Sequence, residues 1–197
     1  GLDYTDFAGT TVEIADGATS TTFEVEVIDD ALFENAETLI ATISNPSNMN
    51  LGIGTANATA SIEDNDNAIG SIAANLSVQS NGSEAALPII YRVTLGTTNN
   101  TGGPISFNLS QTGGTATPTG PDSDFTDFQN VAITVADGAN YGEYSVSVVN
   151  DTLFENLETV QATLTDPSDP AIAISTATAT ANIVDNDNGT GTISAAL

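Results

Sequence analysis

The chain of 197 residues contains no cysteine, no histidine and no lysine, and Arg92 is its one basic residue. Without cysteine there is no disulfide framework and no thiolate metal site, and the redox compartment cannot be read from cysteine pairs. Without histidine or thiolate there is no soft ligand for zinc or copper, and the usual bases and nucleophiles of catalysis are missing. With one cation there is no basic face for phosphates, which excludes nucleic acid as a partner. The same deficit sets the chain against anionic membrane surfaces, and no apolar run approaches the roughly 20 residues of a membrane helix. Tryptophan is absent and methionine occurs once.

What is present is acid: 26 Asp and Glu give a net charge of −25, while 40% of residues are hydrophobic. A charge of this size in a chain with no core would indicate disorder. Here apolar and polar residues alternate over long stretches, which indicates buried sheet faces instead. Cations should gather on such a surface.

The chain repeats itself. Asp3-Tyr-Thr-Asp-Phe7 returns as Asp124-Phe-Thr-Asp-Phe128, and Ala15-Asp-Gly-Ala18 as Ala136-Asp-Gly-Ala139. Asp30-Ala-Leu-Phe-Glu-Asn-Ala-Glu-Thr38 returns as Asp151-Thr-Leu-Phe-Glu-Asn-Leu-Glu-Thr159, and Ile62-Glu-Asp-Asn-Asp-Asn67 as Ile183-Val-Asp-Asn-Asp-Asn188. The offset is 121 residues throughout. After each Asp-Asn-Asp a new unit opens, Gly70-Ser-Ile72 matching Gly191-Thr-Ile193. Residues 1–66 therefore read as the C-terminal part of one repeat, 69–187 as a complete repeat, and 190–197 as the first strand of a third, the abrupt ends being those of a fragment or processed piece. The linkers Asn67-Ala68 and Asn188-Gly189 are too short to let neighbouring units move apart.

Within the complete repeat, period-two alternation predicts strands near 70–78, 87–95, 104–111, 131–136, 142–149, 157–165 and 176–184. Tyr144, Val146 and Val148 share one face, and Glu143, Ser145 and Ser147 the other. Asp137-Gly138 reads as a hairpin turn. About seven short antiparallel strands argue for tandem all-β, immunoglobulin-like sandwiches. Tyr91 and Tyr144 are expected in or near the core, and Arg92 at a rim beside an acid.

The acids cluster at strand ends: Asp122/Asp124/Asp127, Asn150/Asp151/Glu155/Glu158 and Asp185/Asp187, with Glu84 in the loop after the first strand. Loops after alternate strands meet at one end of a sandwich. Like charges about 4 Å apart repel by several kcal/mol even at an effective dielectric near 20, so such a gathering needs protons or a cation. A hard cation that takes 6–8 oxygens suits carboxylates and Asn carbonyls, which points to calcium. Solvated surface charge is the competing reading. The spacing is not that of an EF-hand loop.

These motifs together resemble the Calx-beta domain: Asp124-Phe-Thr-Asp-Phe128, the turn at Ala136-Asp-Gly138, Asn150-Asp-Thr-Leu-Phe-Glu155 with Glu158-Thr159, Asp166-Pro-Ser168 and Ile183-Val-Asp-Asn-Asp187. In the first copy the counterparts are Ile28-Asp-Asp-Ala-Leu-Phe-Glu34, Asn45-Pro-Ser47 and Ile62-Glu-Asp-Asn-Asp66. The resemblance implies a seven-stranded sandwich with calcium bound at one tip, near the joint to the next domain. It carries ligand positions onto Glu84, Asp124, Asp151, Glu155, Asp185 and Asp187. In the first copy it carries them onto Asp3, Asp29, Asp30, Glu34, Asp64 and Asp66. Asn150 stands where the family has the first aspartate of a pair, removing one charge; Asn65 and Asn186 replace a middle acid. The family occurs in sodium–calcium exchangers, integrin subunits and large bacterial surface adhesins, and the lysine-free, Thr/Ala/Asn-rich composition resembles the adhesins.

Three functions follow. The first is a calcium-stiffened structural or adhesive repeat of a secreted or cell-surface protein, with calcium and the neighbouring repeats as its partners and no catalysis. The second is a filament subunit in which the C-terminal strand 190–197 completes the open N-terminal sandwich of the next copy. The third is a calcium sensor, which needs a membrane partner.

Overall fold

A computed structural model describes residues 2–187. The strands in chain order are β1 (Phe33–Glu34), β2 (Glu37–Thr42), β3 (Asn57–Ile62), β4 (Ile72–Ser80), β5 (Gly82–Ser83), β6 (Ile89–Leu95), β7 (Asn99–Asn100), β8 (Ile105–Gly114), β9 (Val131–Val135), β10 (Tyr141–Val146), β11 (Glu158–Thr165), β12 (Ile172–Thr176) and β13 (Thr178–Val184). Two sheets face each other in the complete repeat, ordered β10-β6-β4-β12 and β5-β13-β11-β8-β9. Alternation decides which side chains meet between them. Ile89, Tyr91, Val93 and Leu95 of β6 point inward, as do Ile105, Phe107 and Leu109 of β8, and Val160, Ala162 and Leu164 of β11. Tyr91 carries a hydroxyl into this core and donates it to the Val160 carbonyl at 2.7 Å. Arg92, on the outer face of β6, pairs with Glu143 at 2.6 Å and lies 4.4 Å from the Tyr141 ring centre.

The all-β sandwich agrees with the pattern in the sequence, and two features refine it. Most pairings are antiparallel, but β12 runs parallel to β4 and β13 parallel to β5. The reason is a shared switch between sheets. β4 continues into β5 and β12 into β13, each crossing from the four-stranded to the five-stranded sheet, and the two chain segments keep company on both sides. The second refinement concerns Asp137-Gly138. The strands it joins do not pair as a hairpin; β9 lies in one sheet and β10 in the other. They cross closely at Gly142, where a Cβ would run into the Thr134 carbonyl.

Residues 2–66 form less. β2 and β3 pair antiparallel from Glu37↔Ile62 to Thr42↔Asn57, and Tyr4 bridges Val27. An aromatic trio recurs: Tyr4–Phe7–Phe23 at 6.1 and 5.4 Å, and Phe125–Phe128–Tyr144 at 6.2 and 6.0 Å. The apolar face of the first copy is uncovered. Val12, Ile14 and Ile43 are 45%, 57% and 56% exposed, while Ile133, Val135 and Leu164, which stand 121 residues later, are at most 1% exposed. The strands that bury those later residues have no counterpart among residues 2–66. Phe33 is the exception. It joins the buried cluster otherwise built from residues 72–183, and β1 pairs in parallel with β7, Phe33 against Asn99 and Glu34 against Asn100. Residues 190–197, expected to open a third repeat, lie outside the described residues.

Candidate metal centre

The acids of the complete repeat meet at one tip of the sandwich, each placed by its own local device. Asp124 is set by the motif around it. Phe125 and Phe128 are buried, Phe125 bridges Val148, and the pair fixes the loop so that Asp124 points inward. Its carboxylate accepts the Thr117 amide at 2.5 Å, and its own N–H and C=O bond to Thr117 and Val149. Asp151 caps its turn by accepting the Leu153 amide at 2.7 Å. Asp185 takes two amides, that of Glu155 at 2.9 Å and that of Asp187 at 2.6 Å. Glu84 stands on a tight turn after β5, where Ser83 and Leu87 exchange backbone hydrogen bonds. Gly82 permits this turn to sit low: a Cβ there would come within 2.6 Å of Val148 and 2.8 Å of Ile89.

Three groups of carboxylates result, each with ligand oxygens within 4.8 Å of one another: Glu84, Asp151 and Glu155; Glu84, Asp185 and Asp187; Asp124, Glu155 and Glu158. Glu84 and Glu155 each belong to two groups, so the three form one continuous chain of oxygens. The structure thus brings together the six acids expected at this tip. Glu158 joins them at the start of β11; its place in the acidic run was visible in the sequence, but its inward turn depends on the sheet. Asp122 and Asp127 stay on the exposed surface. Asn150 is exposed and accepts a 2.6 Å hydrogen bond from Asn186, so the two amides that stand in place of acids hold each other.

The charges resist one another. Burial first, then Asp124, Asp151 and other carboxylates, push Glu155 up to about 6. Burial and a hydrogen bond with Asp124 push Glu158 up to about 7. Glu84 is raised chiefly by burial, with Asp185, Asp151 and Asp187 adding to it. One oxygen of Glu84 and one of Glu158 are buried with no hydrogen-bond partner. Buried carboxylate oxygens without donors are costly unless a cation supplies what is missing. An all-oxygen, multi-carboxylate donor set with shared bridging residues fits calcium.

In the first copy Asp3, Asp29, Asp30, Glu34, Asp64 and Asp66 line a single cavity together with Glu37. Its scaffold repeats the second: Asp30 accepts the Leu32 amide, Asp64 accepts those of Glu34 and Asp66, and Asn65 donates to Asp29. Among the described residues, the tight carboxylate groups all belong to the second cluster. Among residues 2–66 there is no counterpart of Glu84, which bridges two groups in the second cluster.

Similar solved structures are those described as CBD12 from CALX1.2 (19% identity, 57% of this chain and 44% of that one, TM-score 0.45), the apo form of the Calx CBD1 domain (16%, 59% and 98%, 0.44) and the calcium binding domain CBD12 of CALX1.1 (20%, 57% and 45%, 0.45). The chain therefore spans less than half the length of the two CBD12 structures. No curated protein matches significantly. The Calx-beta domain matches residues 1–66 and 75–187, nearly the whole chain. The chain belongs to the Calx-beta family of calcium-binding domains.

Proposed function

We propose that the chain is a calcium-rigidified structural or adhesive repeat of a large secreted or cell-surface protein, and not an enzyme. The observation that carries this reading is the joint: the loop of Asp30 and Glu34 at the acidic tip of the first copy makes strand pairs with Asn99 and Asn100 of the next. An ion held there acts on the angle between neighbours. Calcium is held by Glu84, Asp124, Asp151, Glu155, Asp185 and Asp187 in the complete repeat, with Glu158 as a further ligand and Asn150 beside them. In the first copy the ligands are Asp3, Asp29, Asp30, Glu34, Asp64 and Asp66. Affinities near 10⁻⁴ to 10⁻³ M are usual for extracellular modules, which matches a permanently loaded site outside the cell. The test is X-ray scattering with calcium and with chelator. An extended, fixed shape in calcium that loosens on chelation supports the reading; identical profiles reject it.

A second reading is a filament in which residues 190–197 of one copy complete the first sandwich of another. Equilibrium sedimentation separates the two: a monomer at all concentrations supports the spacer, and open-ended assembly supports the filament.

A further inference from the structure

The loops that carry Phe33 and Phe154 are built alike. In both, an aspartate accepts the amide two residues on (Asp30 from Leu32, 2.8 Å; Asp151 from Leu153, 2.7 Å), and a distant aspartate accepts the glutamate amide (Asp64 from Glu34 and Asp185 from Glu155, 2.9 Å each). Their environments differ. Phe33 is 1% exposed and Phe154 is 63% exposed, with Leu153 and Leu157 also on the surface. The first ring is covered because a neighbouring repeat stands against it. Around it, Phe33 and Glu34 pair with Asn99 and Asn100, and the Asn35 side-chain amide donates to the Thr101 carbonyl at 2.6 Å. Asn99 is itself fixed, its side chain donating to Gly103 and Val135 carbonyls.

We propose that Phe154, with Leu153 and Leu157, is a plug for the base of the next repeat along the chain. It seats against that repeat's counterparts of Asn99 and Thr101 as Phe33 seats here. Each repeat then carries a plug at its acidic tip and a socket at the opposite end. Three large apolar side chains exposed within five residues of a chain with a charge of −25 are what a partner covers. The occupant follows from the sequence, since Gly191-Thr-Ile193 reopens the pattern of Gly70-Ser-Ile72 after a two-residue linker. The plug lies between Asp151 and Glu155, so an ion that fixes those two acids also fixes the ring. This rests on the reading of the chain as calcium-loaded tandem repeats.

The experiment is amide hydrogen exchange on the full chain, and on the same chain lengthened after Gly189 by a second copy of residues 69–187, with calcium titrated by calorimetry on the same samples. Segment 152–157 should slow roughly tenfold or more in the lengthened chain, towards the rate of 31–36, and Phe154→Ala should restore fast exchange. Equal exchange of 152–157 in both chains, with protected core amides in the added copy, overturns the proposal. If calcium still binds in that case, the calcium-module reading stands without the plug. Protection that persists in chelator, with no heat of calcium binding, keeps the plug and removes the calcium reading. Should the added copy lack protected amides, Phe33→Ala in the chain of 197 residues decides: faster exchange over 31–36 and 98–101 supports plug and socket, and unchanged exchange overturns it.

Discussion

The Glu155 amide donates a 2.9 Å hydrogen bond to Asp185, whose other carboxylate oxygen receives the Asp187 amide. One side chain thus ties two loops before any ion is bound. Asp185→Ala orphans both amides and should lower the melting temperature with and without calcium, by about 1–3 kcal/mol of stability. Equal melting of variant and parent in chelator would show that the tie carries no stability.

Chelation itself should destabilise the folded chain. A ligand that binds only the native state at a hundredfold excess over its dissociation constant adds about 2.7 kcal/mol. Glu155→Gln should remove most of that gain, since Glu155 belongs to two carboxylate groups. Asp137→Asn should keep it. Asp137 accepts the Gly102 amide at 2.9 Å, at the socket end of the repeat, and Asn offers the same acceptor. Scanning calorimetry of the three proteins, with and without calcium, decides. Magnesium should substitute poorly, because it demands a small octahedral site.

The pH dependence has a defined sign. Glu155 and Glu158 bind protons more tightly folded, at about 6 and about 7, than at the ordinary value of 4.5. A native state that holds more protons loses stability as pH rises. In chelator, their contribution is fully present below about pH 4.5 and is lost as pH rises through 6 to 7. The melting temperature should therefore fall between pH 5 and pH 7.5. Calcium competes with those protons, so its stabilising effect should grow over the same range. A calcium effect independent of pH would place the ion away from Glu155 and Glu158.

Gly82→Ala should act on both structure and site. The new methyl meets Val148 and Ile89, and overpacking of this kind costs typically 1–3 kcal/mol. Relief by lifting the turn would displace Glu84, so calcium affinity should fall in the same variant. Unaltered affinity by calorimetry would separate Gly82 from the site.

Residues 69–187 should melt cooperatively on their own, because the buried cluster, Phe33 apart, comes from 72–183. Residues 1–66 alone should not, given the exposure of Val12, Ile14 and Ile43. Thermal circular dichroism of both fragments is the check; a cooperative monomeric melt of 1–66 would contradict the account.

Much of this was legible in the residues. The alternation of Ile89 to Leu95 and of Val131 to Val135 shows which side chains face inward, and the return of Asp3-Tyr-Thr-Asp-Phe7 as Asp124-Phe-Thr-Asp-Phe128 marks Asp124 as a candidate ligand. The strand Ile172–Thr176 was not seen. It merges with the following run in sequence, and only the move from one sheet to the other near Ala177 divides them. Glu158 is legible as one of the clustered acids but not as a ligand position, since the face of a residue at a strand start depends on its neighbours' register. Phe33 and Phe154 read identically as apolar residues in acidic loops; their opposite exposure arises from contact between repeats, which no local pattern encodes.

Arg92 is held by Glu143 and the Tyr141 ring on the outer face of the four-stranded sheet. With the sole basic side chain spent internally, the flanks of the molecule carry one sign of charge. Two such molecules lying side by side repel over the roughly 8 Å Debye length of physiological salt, while apolar contacts at their ends are less opposed. In crowded solution such molecules would stay apart, spaced by their own counterion clouds, and would associate sideways only where divalent cations or high salt collapse that spacing.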